Sequence, residues 1–506
     1  MDVQPQQGEE WPPLPFRFPG EAPESLRTRI ASFCLAIAML GRTTHVGAQG
    51  AASIAALVPL LAGLGCSAAP PPLALVLLIT ADTLRADHLG AYGSDRDLTP
   101  NLDELARDSL VFSNAYATAP FTLPSIASLM TGRYPEDLGI WSNESRVQVA
   151  ASTLATALRE DGWRTHAVVG NWILRGESGL SAGFEVYDDA FPQRESTRGW
   201  PERIAEDLTD GLLLVLDECT AGESPRCFLW GHFQDPHGPY APPGDLRDRY
   251  LPLERRRPGG TAQLPVRSDN RGYGGIPDYQ FLGEREVAFY RAGYDAEIRY
   301  MDREIGRLID AVEGRGLMER SLIVFAADHG EALGEDDYWF AHGDRLMEPL
   351  VRVPLLIRMR GTTAGQRDDV VSLVDVHPTL LGRVTGVSVP AKSRGRDLLA
   401  PNAAHSDSEP YLTTLGQALQ LRSGLVRGEF KYSVEKRDGV WYGKLVRRKR
   451  EEVDLTPAAP QVAMEMRRQL FDFRRELYRD APEIQQPVPS DADRDKLRAL
   501  GYLDGD

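Results

Sequence analysis

The chain has 506 residues and a formal net charge of -16, with 26% charged and 42% hydrophobic residues. That length exceeds one compact core and predicts either one large domain with a smaller appendage or two domains. The acidic balance excludes a nucleic-acid partner held by a basic surface, so any anion site must be made locally positive by metal ions or helix termini. Of the four cysteines, Cys34, Cys66, Cys219 and Cys227, none has C-x-x-C zinc spacing. Cys219 and Cys227 either close a small disulfide loop, if the protein is exported, or stay as buried thiols in a reducing compartment.

Residues 1–66 read as a leader. The first 29 are rich in Pro, Gln and Glu, lack any apolar period, and are expected to be disordered. Arg27 and Arg29 then precede an apolar run over 30–40, and a second run over 51–64 leads into Gly65-Cys66-Ser67. Each run is short for a membrane span. Basic residues, a short apolar core and small residues before a cysteine resemble a bacterial lipoprotein signal with a lipid on Cys66, although Gly63 stands where a large aliphatic residue is usual. An ordinary cleaved signal and an uncleaved anchor are the alternatives, and a start at Met39 gives a tidier signal. The expectation is export to a bacterial periplasm, free or as a membrane-anchored lipoprotein.

After the break at Pro70–Pro72, the stretch 73–80 is wholly apolar until Thr80 and runs into Asp82, the pattern of a buried parallel strand. Ligands in open α/β sheets sit beyond the carboxyl ends of strands, where Asp82 falls. Thr99-Pro100 opens a first helix, with the threonine as cap and proline at the first position. The stretch 119–135 reads as a loop feeding a short helix, with Thr122 just ahead of its first turn. There Ile126, Leu129 and Met130 give one apolar face and Gly132 a left-handed stop. Unpaired N–H groups and the helix dipole favour an anion beside the Thr122 hydroxyl, which is then a potential nucleophile; an ordinary capping threonine is the alternative.

Helical periods over 152–158 and 202–216 flank a strand near 165–169, and 227–240 reads as a buried strand breaking into a polar loop. In that loop His237 could donate a proton to a leaving oxygen or simply be exposed. Residues 255–270 read as an exposed insertion, and 286–312 as a long helix with a wide apolar stripe. It leads into a second apolar strand, 322–327, ending in Asp328-His329-Gly330-Glu331. The alternation predicts an α/β fold, a doubly wound, mostly parallel sheet with helices on both faces. Two strands ending in acids can bring Asp82, Asp328 and His329 together as a metal site for Ca²⁺, Mg²⁺, Mn²⁺ or Zn²⁺, the alternative being that each Asp caps a helix. The C-terminal part mixes strands over 424–434 and 440–446 with a helix over 461–478; its basic run 447–450 reads as a solvated edge. The expected division is the leader (1–66), a catalytic domain (67–400) and an α+β subdomain (401–506).

In order and spacing, the blocks 82–93, 99–103, 235–240, 328–335, 352–358 and 375–381 resemble the sulfatase family of the alkaline phosphatase superfamily, and 497–503 is similar to the ending of one branch. The resemblance implies an alkaline-phosphatase-like fold and a divalent ion, Ca²⁺ first with Zn²⁺ or Mn²⁺ open, bound by Asp82, Asp328 and His329 with Thr122 as a ligand. Thr83 stands where many members have a second Asp. His237 matches the histidine near the leaving group, and His342 a Lys or His that contacts the anion. Asn171 occupies the place of another lysine, and Asn143 is a further substrate contact.

The family's nucleophile block reads Cys or Ser, any residue, Pro, Ser, Arg, with the first residue oxidised to formylglycine. Here it is Thr122-Leu123-Pro124-Ser125-Ile126. A secondary alcohol cannot yield the aldehyde, so no formylglycine is expected and Thr122 itself must attack, which resembles the nucleotide pyrophosphatase and phosphodiesterase branch. Ile126 removes the arginine that helps hold the sulfate. The implied function is metal-dependent hydrolysis of sulfate esters on a small-molecule or glycan substrate. The alternatives are a phosphodiesterase or phosphonate monoester hydrolase, and a non-catalytic binder of anionic glycans.

Overall fold

The computed structural model describes residues 72–481 apart from 149–151, 192–201, 223–224, 385–391, 401–408, 415–419, 449, 452 and 480. The leader with Cys34 and Cys66, and the 497–503 block, lie outside the described residues. In chain order the principal elements begin with β1 (Leu75–Ala81), α1 (Pro100–Arg107), β2 (Leu110–Tyr116), α2 (Thr122–Thr131), α3 (Leu154–Glu160), β3 (Arg164–Val169) and β4 (Val186–Asp188). They continue with α4 (Ala205–Cys219), β5 (Cys227–Phe233), α5 (Val287–Gly314), β6 (Ser321–Ala327), β7 (Leu355–Met359), β8 (Gly365–Ser372) and α6 (Val376–Arg383). A second sheet comprises β9 (Tyr411–Thr414), β10 (Arg422–Arg427), β11 (Phe430–Arg437) and β12 (Val440–Arg447), followed by α7 (Pro460–Arg479).

The main sheet runs β8–β2–β7–β6–β1–β5–β3–β4, with Arg352–Val353 extending β7 along β2 across Pro354. All its strands are parallel except β7 and that extension, which run antiparallel to β2 and β6. Every residue of β1, β5 and β6 is buried, because these central strands are covered on both sides: α1, α4 and α5 pack on one face, α2, α3 and α6 on the other. The doubly wound expectation holds.

Local outcomes differ in four places. Thr99 occupies the cap position of α1, but its hydroxyl accepts the Gly90 N–H and donates to Asp103 Oδ1 rather than capping the helix. The stretch 255–270 is not wholly irregular, since Val266–Arg267 pairs in parallel with Ile276–Pro277. The expected single strand over 424–434 is two, because Gly428 at φ 54° turns the chain and β10 folds back on β11. Both lie in the antiparallel sheet of β9 to β12, against which α7 lays Met466, Leu470 and Leu477. The 447–450 run is not simply solvated either: Arg448 donates to the Tyr116 hydroxyl. No helix among the described residues is long and apolar enough to cross a membrane.

Candidate active site

Register places the acids. Ala81 lies opposite Ala327 on one side of β1 and opposite Phe233 on the other, so Asp82 and Asp328 leave adjacent strands at the same level, about 4.8 Å apart in the sheet. Thr83 then takes a left-handed conformation, φ 53°, which turns its N–H onto Asp328 Oδ1 at 3.2 Å; the His329 N–H reaches the same oxygen at 2.6 Å. Arg85 ties the two loops together, donating to the Glu331 carbonyl at 3.2 Å and pairing with Asp87 and Glu335 at 2.8 and 2.7 Å.

Helix α2 brings the hydroxyl. Thr122 is the first helical residue, with Phe121 at the cap position, rather than a residue ahead of the first turn. Its buried Oγ1 lies 3.5 Å from both Asp82 Oδ2 and His329 Nε2. Ser125, one turn on, donates to the Asp328 carbonyl at 2.6 Å and fixes the helix against the strand end. The helix N-terminus offers fewer donors to an anion than the sequence suggests. Pro124 has none, and the Leu123 N–H is taken by Asn143 Oδ1 at 2.9 Å. Asn143 thus caps α2, and its Nδ2 is buried without a hydrogen-bond partner among the described residues. Ile126 is fully buried in the apolar core, so no charge replaces the family's arginine there.

Buried histidines surround this group. His329 Nδ1 lies 3.0 Å from the Gly330 carbonyl, which can only accept, so Nδ1 carries the proton and Nε2 turns a lone pair towards Asp82 Oδ1 at 3.7 Å and Asp328 Oδ2 at 3.6 Å. Burial pulls its pKa down to about 3, which keeps it neutral. His237 is fully buried, not exposed on its loop, and its Nδ1 faces the Gly238 carbonyl at 2.7 Å. Neutral His237 therefore presents Nε2 as an acceptor, and burial holds its pKa below the usual histidine range. His342 points Nδ1 at Glu331 Oε1, 3.2 Å away, with its ring centre 4.6 Å from His329 and 5.2 Å from His237. Burial pulls it to about 4 and pushes Glu331 up to about 7. Asn171, expected at the substrate, donates to Asp82 Oδ2 and accepts the Ile173 N–H at 2.7 Å, so both ends of its amide are committed within the protein.

The set fits a divalent cation. Asp82, Asp328 and His329 each offer one ligand atom, all within 4.8 Å of one another. Asp82 Oδ1 and Asp328 Oδ2 are buried without hydrogen-bond partners among the described residues, costly unless a cation faces them. Burial opposes ionisation of both carboxyls. Burial and the neighbouring Asp82 push Asp328 well above the usual range, as expected of two adjacent carboxyls lacking a compensating charge.

The sulfatase family model matches residues 74–387, spanning every element that builds this site. The chain belongs to the sulfatase family. Among curated sulfatases it is 28% identical to human iduronate 2-sulfatase over 397 residues, covering 63% of this chain and 70% of that one. It is 29% identical to the choline-sulfatase of Rhizobium meliloti over 353 residues, 62% of this chain and 68% of that one. Among solved structures, one protein in complex with its substrate D-glucosamine-2-N,6-O-disulfate superposes with a TM-score of 0.67 at 18% identity, covering 82% and 100% of the two chains. The phosphonate monoester hydrolase of Agrobacterium radiobacter gives 0.64 at 21% identity, covering 80% and 96%. The protein is an ester hydrolase of sulfatase type, with the fold shared by both groups of neighbours.

Two side chains of this sulfatase-family site went unassigned in the sequence. Glu331 sits in the 328–335 block, and His232 interrupts an otherwise apolar strand. A buried imidazole in such a run needs a partner, and that was the available signal.

Proposed function

We propose that this sulfatase-family protein hydrolyses sulfate esters with Thr122 as nucleophile, residues 67–400 forming the catalytic body and 401–506 a flanking subdomain. The observation that supports it is the convergence of the Thr122 hydroxyl with two orphaned carboxylate oxygens and the His329 Nε2 lone pair in one buried cluster. Asp82, Asp328 and His329, with Thr122, would hold a divalent cation, Ca²⁺ by family likeness; when bound it lowers the pKa of a hydroxyl and offsets the charge of the ester. Thr122 Oγ attacks sulfur, the S–O bond to the alcohol breaks, and the hydroxyl proton leaves to a neighbouring base as the threonine sulfate ester forms. Water then hydrolyses that ester, regenerating Thr122 and releasing sulfate. His237 Nε2, an acceptor in the neutral ring, takes up a proton and returns it to the leaving oxygen. His342 and the buried Asn143 Nδ2, which has no hydrogen-bond partner among the described residues, would face the ester.

The buried apolar Ile126 favours a second reading, hydrolysis of phosphodiesters or phosphonate monoesters, since the sulfate's arginine is missing and an unmodified threonine suits phosphoryl transfer. Rates on nitrophenyl sulfate, phosphodiester and phosphonate substrates, with Ca²⁺, Mn²⁺ or Zn²⁺ supplied, separate the two. Faster turnover of the phosphorus esters would transfer the proposal to them, and binding without turnover of any would leave a binder of anionic glycans. Export belongs to the same proposal, supported by the Cys219–Cys227 bond, since disulfides persist in oxidising compartments. Intact mass of protein from a bacterial envelope tests it, together with lipid attachment at Cys66.

A further inference from the structure

His232 stands beside the cluster with the opposite hydrogen-bond setting to His329. It is fully buried on β5, level with Thr80 on β1, and its Nδ1 lies 2.9 Å from Thr80 Oγ1. Trp230, two residues earlier and so on the same face of β5, donates its indole N–H to that same oxygen at 2.9 Å. An indole can only donate, so the Thr80 hydroxyl accepts there and must direct its own proton elsewhere. The Gly231 carbonyl at 3.4 Å is beyond the usual O–H donor range, whereas His232 Nδ1 at 2.9 Å is within it. Nδ1 then accepts, and the ring proton sits on Nε2, which faces Asp82 Oδ2 at 3.6 Å, just beyond hydrogen-bond reach and without a hydrogen-bond partner among the described residues. That oxygen already receives the Asn171 amide. Two N–H groups thus flank Oδ2, and Oδ1 is left as the orphaned oxygen turned to His329.

We propose that the Trp230–Thr80–His232 chain locks the His232 ring proton on Nε2, making His232 a positioning residue whose N–H dipole faces Asp82 and keeping it out of the cation's ligand set. A protonated ring nitrogen has no lone pair for a metal. With the lock the site offers one imidazole, from His329, and hard oxygen-preferring cations are favoured. Without it the ring can carry its proton on Nδ1, and a second imidazole lone pair beside Asp82 would suit Zn²⁺.

This rests on the metal reading of the proposed function, and titration calorimetry of the metal-stripped full chain with CaCl₂ and with ZnCl₂ tells the two apart. Thr80→Val keeps the side-chain shape and removes the hydroxyl. It is expected to weaken Ca²⁺ binding roughly ten-fold and to shift the Ca²⁺/Zn²⁺ preference towards Zn²⁺ by roughly 10 to 100-fold. His232→Phe should weaken Ca²⁺ similarly with no gain for Zn²⁺. Wild type that binds while both variants match it in affinity and preference overturns the lock. Wild type that binds neither ion overturns the metal reading, and the lock with it. Should a variant not fold, nitrogen-15 shifts of labelled histidines in the unmodified protein decide: protonation of His232 at Nε2 supports the lock, and protonation at Nδ1 sinks it.

Discussion

At the scale of single residues, chemistry here is set by which atom of each side chain is already spoken for. A backbone carbonyl fixes the His329 proton on Nδ1 and frees Nε2, while Asn143 and Asn171 use their amides to cap α2 and to hold Asp82. Two substitutions test the proposed nucleophile and the proposed metal site separately. Thr122→Ala is expected to lower turnover by at least roughly 10²-fold while metal content per chain, measured on purified protein, stays at the wild-type level. Asp328→Asn should lose the ion and the activity together, because one of two charged ligands is gone. A Thr122→Ala protein that turns over normally would place the nucleophile elsewhere.

At the scale of elements, the site depends on strand ends and on the start of one helix being held in place. Helix α2 stops where Gly132, at φ 67°, turns the chain left-handed, and a Cβ there would clash with Ser393 Oγ and crowd His377. The end of α4 is joined to the start of β5 by the Cys219–Cys227 bond, eight residues apart. Closing so short a loop removes unfolded-chain entropy worth about 2–3 kcal/mol. Cys219→Ser with Cys227→Ser should lower the urea unfolding free energy by about that much. Turnover should persist at temperatures where the variant stays folded, since neither sulfur lies at the site. An unchanged unfolding free energy would mean the bond contributes nothing.

At the scale of the whole molecule, stability is coupled to pH through histidines buried as neutral rings. His377 on α6 is the cleanest case, fully buried with neither ring nitrogen hydrogen-bonded among the described residues, and burial pulls its pKa to about 4. The unfolded ring titrates near its ordinary value of about 6.5, so above that pH its contribution to stability is fully present. As pH falls from 6.5 towards 4 the unfolded chain takes up the proton first, and stability is lost at about 1.4 kcal/mol per pH unit. Between pH 7 and 5 the wild type should therefore lose about 2 kcal/mol more than His377→Leu, read as the difference in urea unfolding free energies. Equal losses would show that the ring is not buried neutral.

The sequence by itself determined the sheet's centre and the meeting of Asp82, Asp328 and His329. Unbroken apolar runs at β1 and β6 could only be buried parallel strands, and an acid directly after each had to emerge at the ligand-binding edge. The Thr122 block was legible for the same reason, since a proline, an apolar face and a closing glycine specify a short helix locally. Only the tertiary structure decided what each polar group does there. The His232 tautomer depends on a register that sets Thr80 beside Trp230 and His232, 150 and 152 residues away in the chain. The commitment of Asn143 to the Leu123 N–H, and of Asn171 to Asp82, likewise depends on loops whose paths no local period encodes. Periodicity specifies which face is buried, but a hydrogen bond between distant segments is set by packing, and at this site those bonds fix where the protons sit.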